Sequence, residues 1–244
     1  VEESDNPKFV KGDEVILTWM KSKGMDAPGA LYDMEGKVIN SGPITTFSNY
    51  SVISENRIVK KPKNLNFDSA VLFGCALQTG AGMVFNQLKP SLNKNLIIMG
   101  LGGIGISALL AAQSMNLKNI IAIDKSEEKL KLVSDLGIKY TFNSKTKNLK
   151  KIIFNLTGGG ADYCIESAGF INTIEKAFSL LNPNHGELLF ASHPAKGKKI
   201  KIDPHELISG KKISGSWGGD SSPDNDIPII FNKFEKANIN LTHF

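Results

Sequence analysis

Three glycines at G-x-G-x-x-G spacing, in Gly100-Leu101-Gly102-Gly103-Ile104-Gly105, lie between two apolar runs. Leu96-Ile97-Ile98-Met99 precedes them as a strand, and Ile106-Ser107-Ala108-Leu109-Leu110-Ala111-Ala112 follows as a helix. The spacing alone is weak, because glycine turns between strand and helix are common, but the flanking elements give it a mechanism. Gly100 permits the tight turn, Gly102 lets the backbone approach a pyrophosphate, and Gly105 lets helix and strand pack closely. The helix start at Gly103 and Ile104 adds unpaired N–H groups and the positive end of the helix dipole. About 20 residues further on, the second strand ends at Asp124. A carboxylate there accepts hydrogen bonds from the ribose hydroxyls of NAD and repels the 2′-phosphate of NADP. Lys125 adjoins it and softens that discrimination. The expected ligand is a dinucleotide, NAD before NADP; the bland alternative is a structural turn with a solvent-facing aspartate.

The elements that position these residues follow a regular rhythm. Short apolar strands are expected at Leu96–Met99, Ile120–Ile123, Tyr140–Phe142, Tyr163–Glu166, Leu188–Ala191 and Ile213–Trp217. Between them, helices are expected at Gly103–Asn116, Glu127–Leu136, Lys147–Asn155 and Ile171–Leu181, with a shorter turn near Glu206–Ser209. Gly137 stands where a C-terminal helix glycine belongs. Six strands alternating with helices imply an α/β fold, a Rossmann-type doubly wound parallel sheet covered on both faces. Upstream, Asn66 or Asp68 can cap a helix through Ala70, Val71 and Leu72, and a second helix runs from near Thr79 to Leu88. The first part reads as β and irregular structure, with strands at Asp13–Trp19 and Tyr50–Ser54 and loop or short strands over 20–46. The expected division is 1–65 as a β part and 66–244 as the dinucleotide-binding domain.

Composition narrows the classes further. With 244 residues, 41% hydrophobic and 22% charged, the chain has ordinary globular proportions. No run of about 18 apolar residues is present, so no membrane-spanning helix is expected. The start, Val1-Glu2-Glu3-Ser4-Asp5, has no signal-peptide pattern. Two cysteines, Cys75 and Cys164, make no disulfide framework and point to a reducing cytoplasm. The net charge of +5 comes from scattered lysines. The densest run, Lys196 to Lys201, has no aromatic neighbours and reads as a solvated connection rather than a nucleic-acid patch.

Four ordered segments resemble the zinc-dependent alcohol dehydrogenase branch of the medium-chain dehydrogenase/reductase family. Lys11-Gly12-Asp13-Glu14-Val15-Ile16 is similar to the G-D-x-V strand of its GroES-like catalytic domain. Thr45-Thr46-Phe47-Ser48-Asn49-Tyr50-Ser51-Val52 is similar to its T-F-x-x-Y-x-V strand. Phe73-Gly74-Cys75-Ala76-Leu77-Gln78-Thr79-Gly80-Ala81-Gly82 resembles its G-C-x-x-x-T-G-x-G segment. Gly210-Lys211-Lys212-Ile213-Ser214-Gly215-Ser216-Trp217-Gly218-Gly219 resembles its last cofactor-domain strand.

The resemblance implies that 1–65 is part of a GroES-like domain and that Cys75 is a catalytic zinc ligand in a Cys₂His set. Without it, Cys75 reads as a buried small residue. Thr79 and Ile104 would pack on the two faces of the nicotinamide, with Thr79 beside the reacting atoms. Lys129 would lie near the adenosine ribose, or be a solvated helix lysine. Ser192 and Ser216 would meet the carboxamide through their backbone, the second with a one-residue gap. Cys164 reads as core, His193 sits at a strand end facing the ligand side, and His185, His205 and His243 read as turn or surface residues.

Departures also register. The family's other catalytic zinc ligands lie upstream of the matching region, so the chain reads as a piece of a longer polypeptide, with zinc completed by residues outside it. The stretch from Trp19 to Ser41 contains no cysteine, which argues against a structural zinc there. Gln78 and Ala81 depart from the pattern of close relatives. The resemblance implies an NAD-dependent, zinc-assisted alcohol dehydrogenase acting on a small alcohol or aldehyde. The expected assembly is a homodimer or dimer of dimers, seamed at the sixth strand near Trp217. Two other readings stay open, a zinc-free quinone or enoyl reductase of the same superfamily and a catalytically silent NAD-binding module.

Overall fold

The structure, a computed structural model, describes residues 1–40 and 42–241; His243 lies outside them. Strands that are apolar at every position must be covered on both faces, and this requirement shapes the molecule. Strand β5 (Asn95–Met99) is buried throughout. It pairs in parallel with β6 (Asn119–Asp124) on one side and β8 (Tyr163–Glu166) on the other. Strand β7 (Tyr140–Asn143) extends the sheet beyond β6, while β9 (Glu187–Phe190) and β10 (Lys212–Gly215) extend it beyond β8. The resulting order, β10-β9-β8-β5-β6-β7, reverses direction at β5 and β8, as the doubly wound arrangement requires.

Alternation along β5 divides the core into two layers. Leu96 and Ile98 face a cluster built with α2 (Ala76–Gly82), α3 (Gly103–Ser114) and α8 (Pro223–Lys236), including Leu77, Leu109 and Phe234. Ile97 and Met99 face a second cluster with α5 (Leu149–Thr157) and α6 (Ile171–Ser179), including Ile153 and Phe178. Each such side chain contributes roughly 1.5–3 kcal/mol on burial. Strand β1 (Val15–Leu17) pairs antiparallel with β4 (Ile58–Lys60), while β2 (Leu31–Met34) and β3 (Lys37–Asn40) form a separate hairpin. Ile16, Val59 and Leu65 join the first cluster, so the opening part shares a core with the sheet domain.

The six expected sheet strands and the helices between them are present within a few residues. Helix α4 (Glu127–Asp135) is capped by Ser126 and followed by Gly137 at φ +92°. Asn66 caps α1 (Phe67–Ala70), its side chain accepting from Ser69 N at 2.7 Å. A short helix, α7 (Pro204–Ile208), occupies the expected turn. Lys196–Lys201 forms an exposed connection after β9.

Three features differ from expectation. Among the described residues Tyr50–Ser54 forms no strand, with Tyr50 and Val52 mostly exposed, and the strand of this region is β4, where Val59 can be buried against Ile16. The second helix begins at Ala76 and passes at Met83 into a π-helical turn through Leu88. Helix α8, unanticipated, forms despite Pro228 because Pro223 occupies its first turn and Ile227, Ile230, Phe231 and Phe234 recur at helical spacing into the core.

Candidate functional site

The glycine turn joins β5 to α3 at the point where the strand order reverses. Gly100 has φ +94°, and a Cβ there would lie 2.6 Å from Ala168 N. Gly105 packs tighter still, since a Cβ would meet Gly100 O at 1.8 Å. Around Gly102, by contrast, a Cβ would find nothing within 4 Å. Two glycines are therefore required by the fold, and the third opens backbone at a helix N-terminus, which is what a pyrophosphate needs.

Asp124 closes β6 beside this turn. Its Oδ2 accepts from Leu101 N at 2.6 Å and its Oδ1 from Ser126 N at 2.9 Å. The carboxylate is thereby fixed between the glycine turn and the start of α4, and each oxygen keeps a lone pair for a ribose hydroxyl. Lys129 projects from the first turn of α4, exposed.

Helix α2 brings the other predicted residues to the turn. A Cβ on Gly80 would lie 2.2 Å from Ile104 O, and one on Gly103 would lie 3.1 Å from Ala76 Cβ, so α2 crosses the start of α3 at backbone contact. Thr79 is buried and its Oγ1 lacks a hydrogen-bond partner. A buried hydroxyl left unpaired beside an anion-binding turn fits a polar ligand better than a dry core. Cys75 stands before α2, exposed, yet the surrounding protein desolvates its thiol enough to raise the pKa above the ordinary value. Trp19 N donates to the adjacent Gly74 O, and the Trp19 ring meets that of Trp217 edge to face, centroids 5.0 Å apart. His193 joins the same aromatic group 5.7 Å from Trp217.

Ser192 and Ser216 are placed around this centre without direct contact to the turn. Ser192 Oγ donates to Glu166 Oε2 at 2.6 Å. Ser216 is buried; its N–H donates to Phe190 O at 2.7 Å and its Oγ to Gln87 Oε1 at 2.6 Å. The backbone N–H of Ser216 is thus already used by the sheet.

Sequence reasoning missed two groups. The π-helical turn points Asn86 and Gln87 at 216–220, where Asn86 Nδ2 donates to Gly219 O at 3.4 Å; π turns recur at functional sites. Glu166, wholly buried, closes β8 as Asp124 closes β6. A carboxylate ending an apolar strand was the available signal for Glu166, whereas no spacing marked the π-helical turn.

A dinucleotide fits the residues present, given the open backbone at Gly102, the fixed carboxylate of Asp124 and the unpaired Thr79 hydroxyl. A metal ion does not fit in the same way. Among the described residues, no group of three or more His, Cys, Asp and Glu side chains could hold one.

The family description zinc-binding dehydrogenase matches residues 103–235. Among curated relatives, the class-P alcohol dehydrogenase of Arabidopsis thaliana is 26% identical over 225 residues, covering 88% of this chain and 59% of that protein. Alcohol dehydrogenase 6 of Peromyscus maniculatus is 27% identical over 198 residues, covering 80% and 53%. The crystal structure of benzyl alcohol dehydrogenase from Acinetobacter calcoaceticus superposes with a TM-score of 0.85 at 27% identity, over 98% of this chain and 71% of that one. An alcohol dehydrogenase zinc-binding domain protein from Burkholderia ambifaria gives 0.83 at 28% identity, over 96% and 70%. The chain spans little more than half the length of the curated relatives it matches. With more than half of its residues matched to the family on a six-stranded doubly wound sheet, the chain belongs to the zinc-binding dehydrogenase family.

Proposed function

We propose that this chain is the cofactor-binding part of an NAD-dependent oxidoreductase that interconverts an alcohol and its carbonyl product. The observation that carries the reading is the glycine turn, open at Gly102 and fastened through Leu101 to the Asp124 carboxylate. When bound, NAD supplies the hydride acceptor at its nicotinamide. The N-terminus of α3 would hold the pyrophosphate, Asp124 the adenosine ribose, and Thr79 the nicotinamide. Asp124 favours NAD, since the 2′-phosphate of NADP would meet a fixed negative charge. The aromatic wall of Trp19, Trp217 and His193, close to Cys75 through Gly74, favours a substrate with an apolar or aromatic group. The likeness to a benzyl alcohol dehydrogenase supports the same preference.

Cys75 is the residue a catalytic zinc would use, in keeping with the family, and among the described residues it belongs to no group of three or more His, Cys, Asp and Glu donors. Among the described residues strand β10 pairs on one side only, with β9, and exposed Ile208 and Trp217 lie close to it in sequence, so a second copy of the chain is the proposed partner across that edge.

Incubation of the full-length polypeptide that carries this chain with NAD and benzyl alcohol, followed by NADH absorbance and by identification of the aldehyde, tests the reading. One aldehyde formed per NADH, with little turnover using NADP, is expected. Tight NADH binding with no turnover on any alcohol would replace it with the silent module.

A further inference from the structure

Among the buried acidic groups of the cofactor side, Glu166 has the most exacting surroundings. It ends β8 opposite Met99 of β5, at the reversal of strand order, and is wholly buried. Its Oε1 accepts from Ala168 N at 2.9 Å and Gly169 N at 3.1 Å and lies 2.7 Å from Thr173 Oγ1. Its Oε2 accepts from Ser192 Oγ at 2.6 Å. Among the described residues no lysine, arginine or histidine forms an ion pair with it within 4.0 Å. Burying a carboxylate without a cation costs several kcal/mol, which two backbone N–H groups and two hydroxyls must offset. An apolar residue would fill this strand position at lower cost, so the carboxylate needs a reason.

The reason lies in what the four partners connect. Ala168 and Gly169 form the turn after β8, and the backbone of Ala168 lies where a Cβ on Gly100 would fall. Ser167 Oγ, in the same turn, donates to Gly100 O at 2.9 Å. Ser192 follows β9, the next strand out. Glu166 therefore ties together the glycine turn's far wall and the end of β9, on the side of β5 away from Asp124. By the doubly wound rule, Asp124 marks the adenosine side of the crevice and this is the nicotinamide side.

We infer that Glu166 is a positioning residue that sets the nicotinamide half of the cofactor site through Ser192 and the Ala168–Gly169 turn. It touches no part of the dinucleotide itself. The inference rests on the dinucleotide reading above, and the two can fail separately. A residue that only stabilised the fold would change affinity for the whole cofactor and for its adenosine half alike. A residue that positions the nicotinamide side changes affinity for NADH and leaves ADP-ribose, which lacks the nicotinamide, unaffected.

The test is titration of the wild-type chain, Glu166→Gln and Ser192→Ala with NADH and with ADP-ribose, alongside thermal melting. Glu166→Gln keeps shape and the acceptor for the turn but removes the charge. Ser192→Ala removes one contact from a half-buried loop position and leaves Glu166 its two backbone N–H donors, so it carries the test should Glu166→Gln not fold. Expected are a loss of NADH affinity of about tenfold for Glu166→Gln and about threefold or more for Ser192→Ala. ADP-ribose affinity should stay within about twofold for both. Parallel losses for the two ligands, or unchanged NADH affinity in folded variants, would overturn the positioning role while leaving the dinucleotide site standing. Wild-type protein that binds neither ligand would remove the dinucleotide site and this role with it.

Discussion

Gly102 and Gly105 sit three positions apart and differ in what surrounds them. Gly105→Ala would drive a methyl group into Gly100 O, where the free distance is 1.8 Å, and should cost about 1–3 kcal/mol or more by urea unfolding. Gly102→Val, with open space around its α-carbon and φ −86°, should unfold at nearly the wild-type urea concentration yet lose NADH binding. The two outcomes separate a structural glycine from one that serves a ligand. Asp124→Ser should narrow the preference for NADH over NADPH by about tenfold or more, read as a ratio of dissociation constants, since a repelling charge is removed. At this scale the glycine turn and Asp124 were legible in the sequence, because their spacing is fixed by backbone geometry. Glu166 was not, because its meaning depends on Ala168, Gly169 and Ser192 meeting in space. The neighbours of Cys75 were equally invisible, since they are set by tertiary contacts rather than by spacing.

Elements carry a second set of consequences. The crossing of α2 over α3 depends on Gly80, whose missing Cβ leaves room for Ile104 O at 2.2 Å and Ala108 N at 2.7 Å. Gly80→Ala should push the helices apart, costing about 1–3 kcal/mol in urea unfolding and weakening NADH binding through the displaced Thr79. At the opposite end of the sheet, Asp162 joins β5 to β8. Burial acts to raise its pKa, but hydrogen bonds from Asn95 N, Lys94, His185 and the Asn95 side chain overcome that and hold it at about 2. A depressed carboxylate stabilises the fold above its unfolded value of 3.8, and that contribution is lost as pH falls from about 4 to about 2. Urea unfolding across this window should show a fall in stability that is smaller in Asp162→Asn; equal falls would dismiss the link. The sheet strands were readable as apolar runs and α4 from its cap and closing glycine. The strand expected at Tyr50–Ser54 failed because its alternation points to solvent with no strand pairing among the described residues, and α8 escaped notice because two prolines masked its apolar spacing.

For the molecule as a whole, the sheet presents β10 as an edge, and light scattering should give a mass of two chains or a multiple of two. A stable monomer would count against pairing across that edge. The doubly wound order itself was legible from the alternation of strands and helices, whereas the packing of 1–65 onto the same core was not. That junction is made by single residues, Ile16, Val59 and Leu65, which no periodicity marks. Calorimetric titration of the wild-type chain and Gly102→Val with NADH and NADPH bears most directly on the cofactor site. One NADH bound per wild-type chain, about tenfold or more tighter than NADPH and abolished in a folded Gly102→Val, is the expected result. Undiminished NADH binding in that variant, or no binding by the wild-type chain, would mean that the turn between β5 and α3 serves the fold alone.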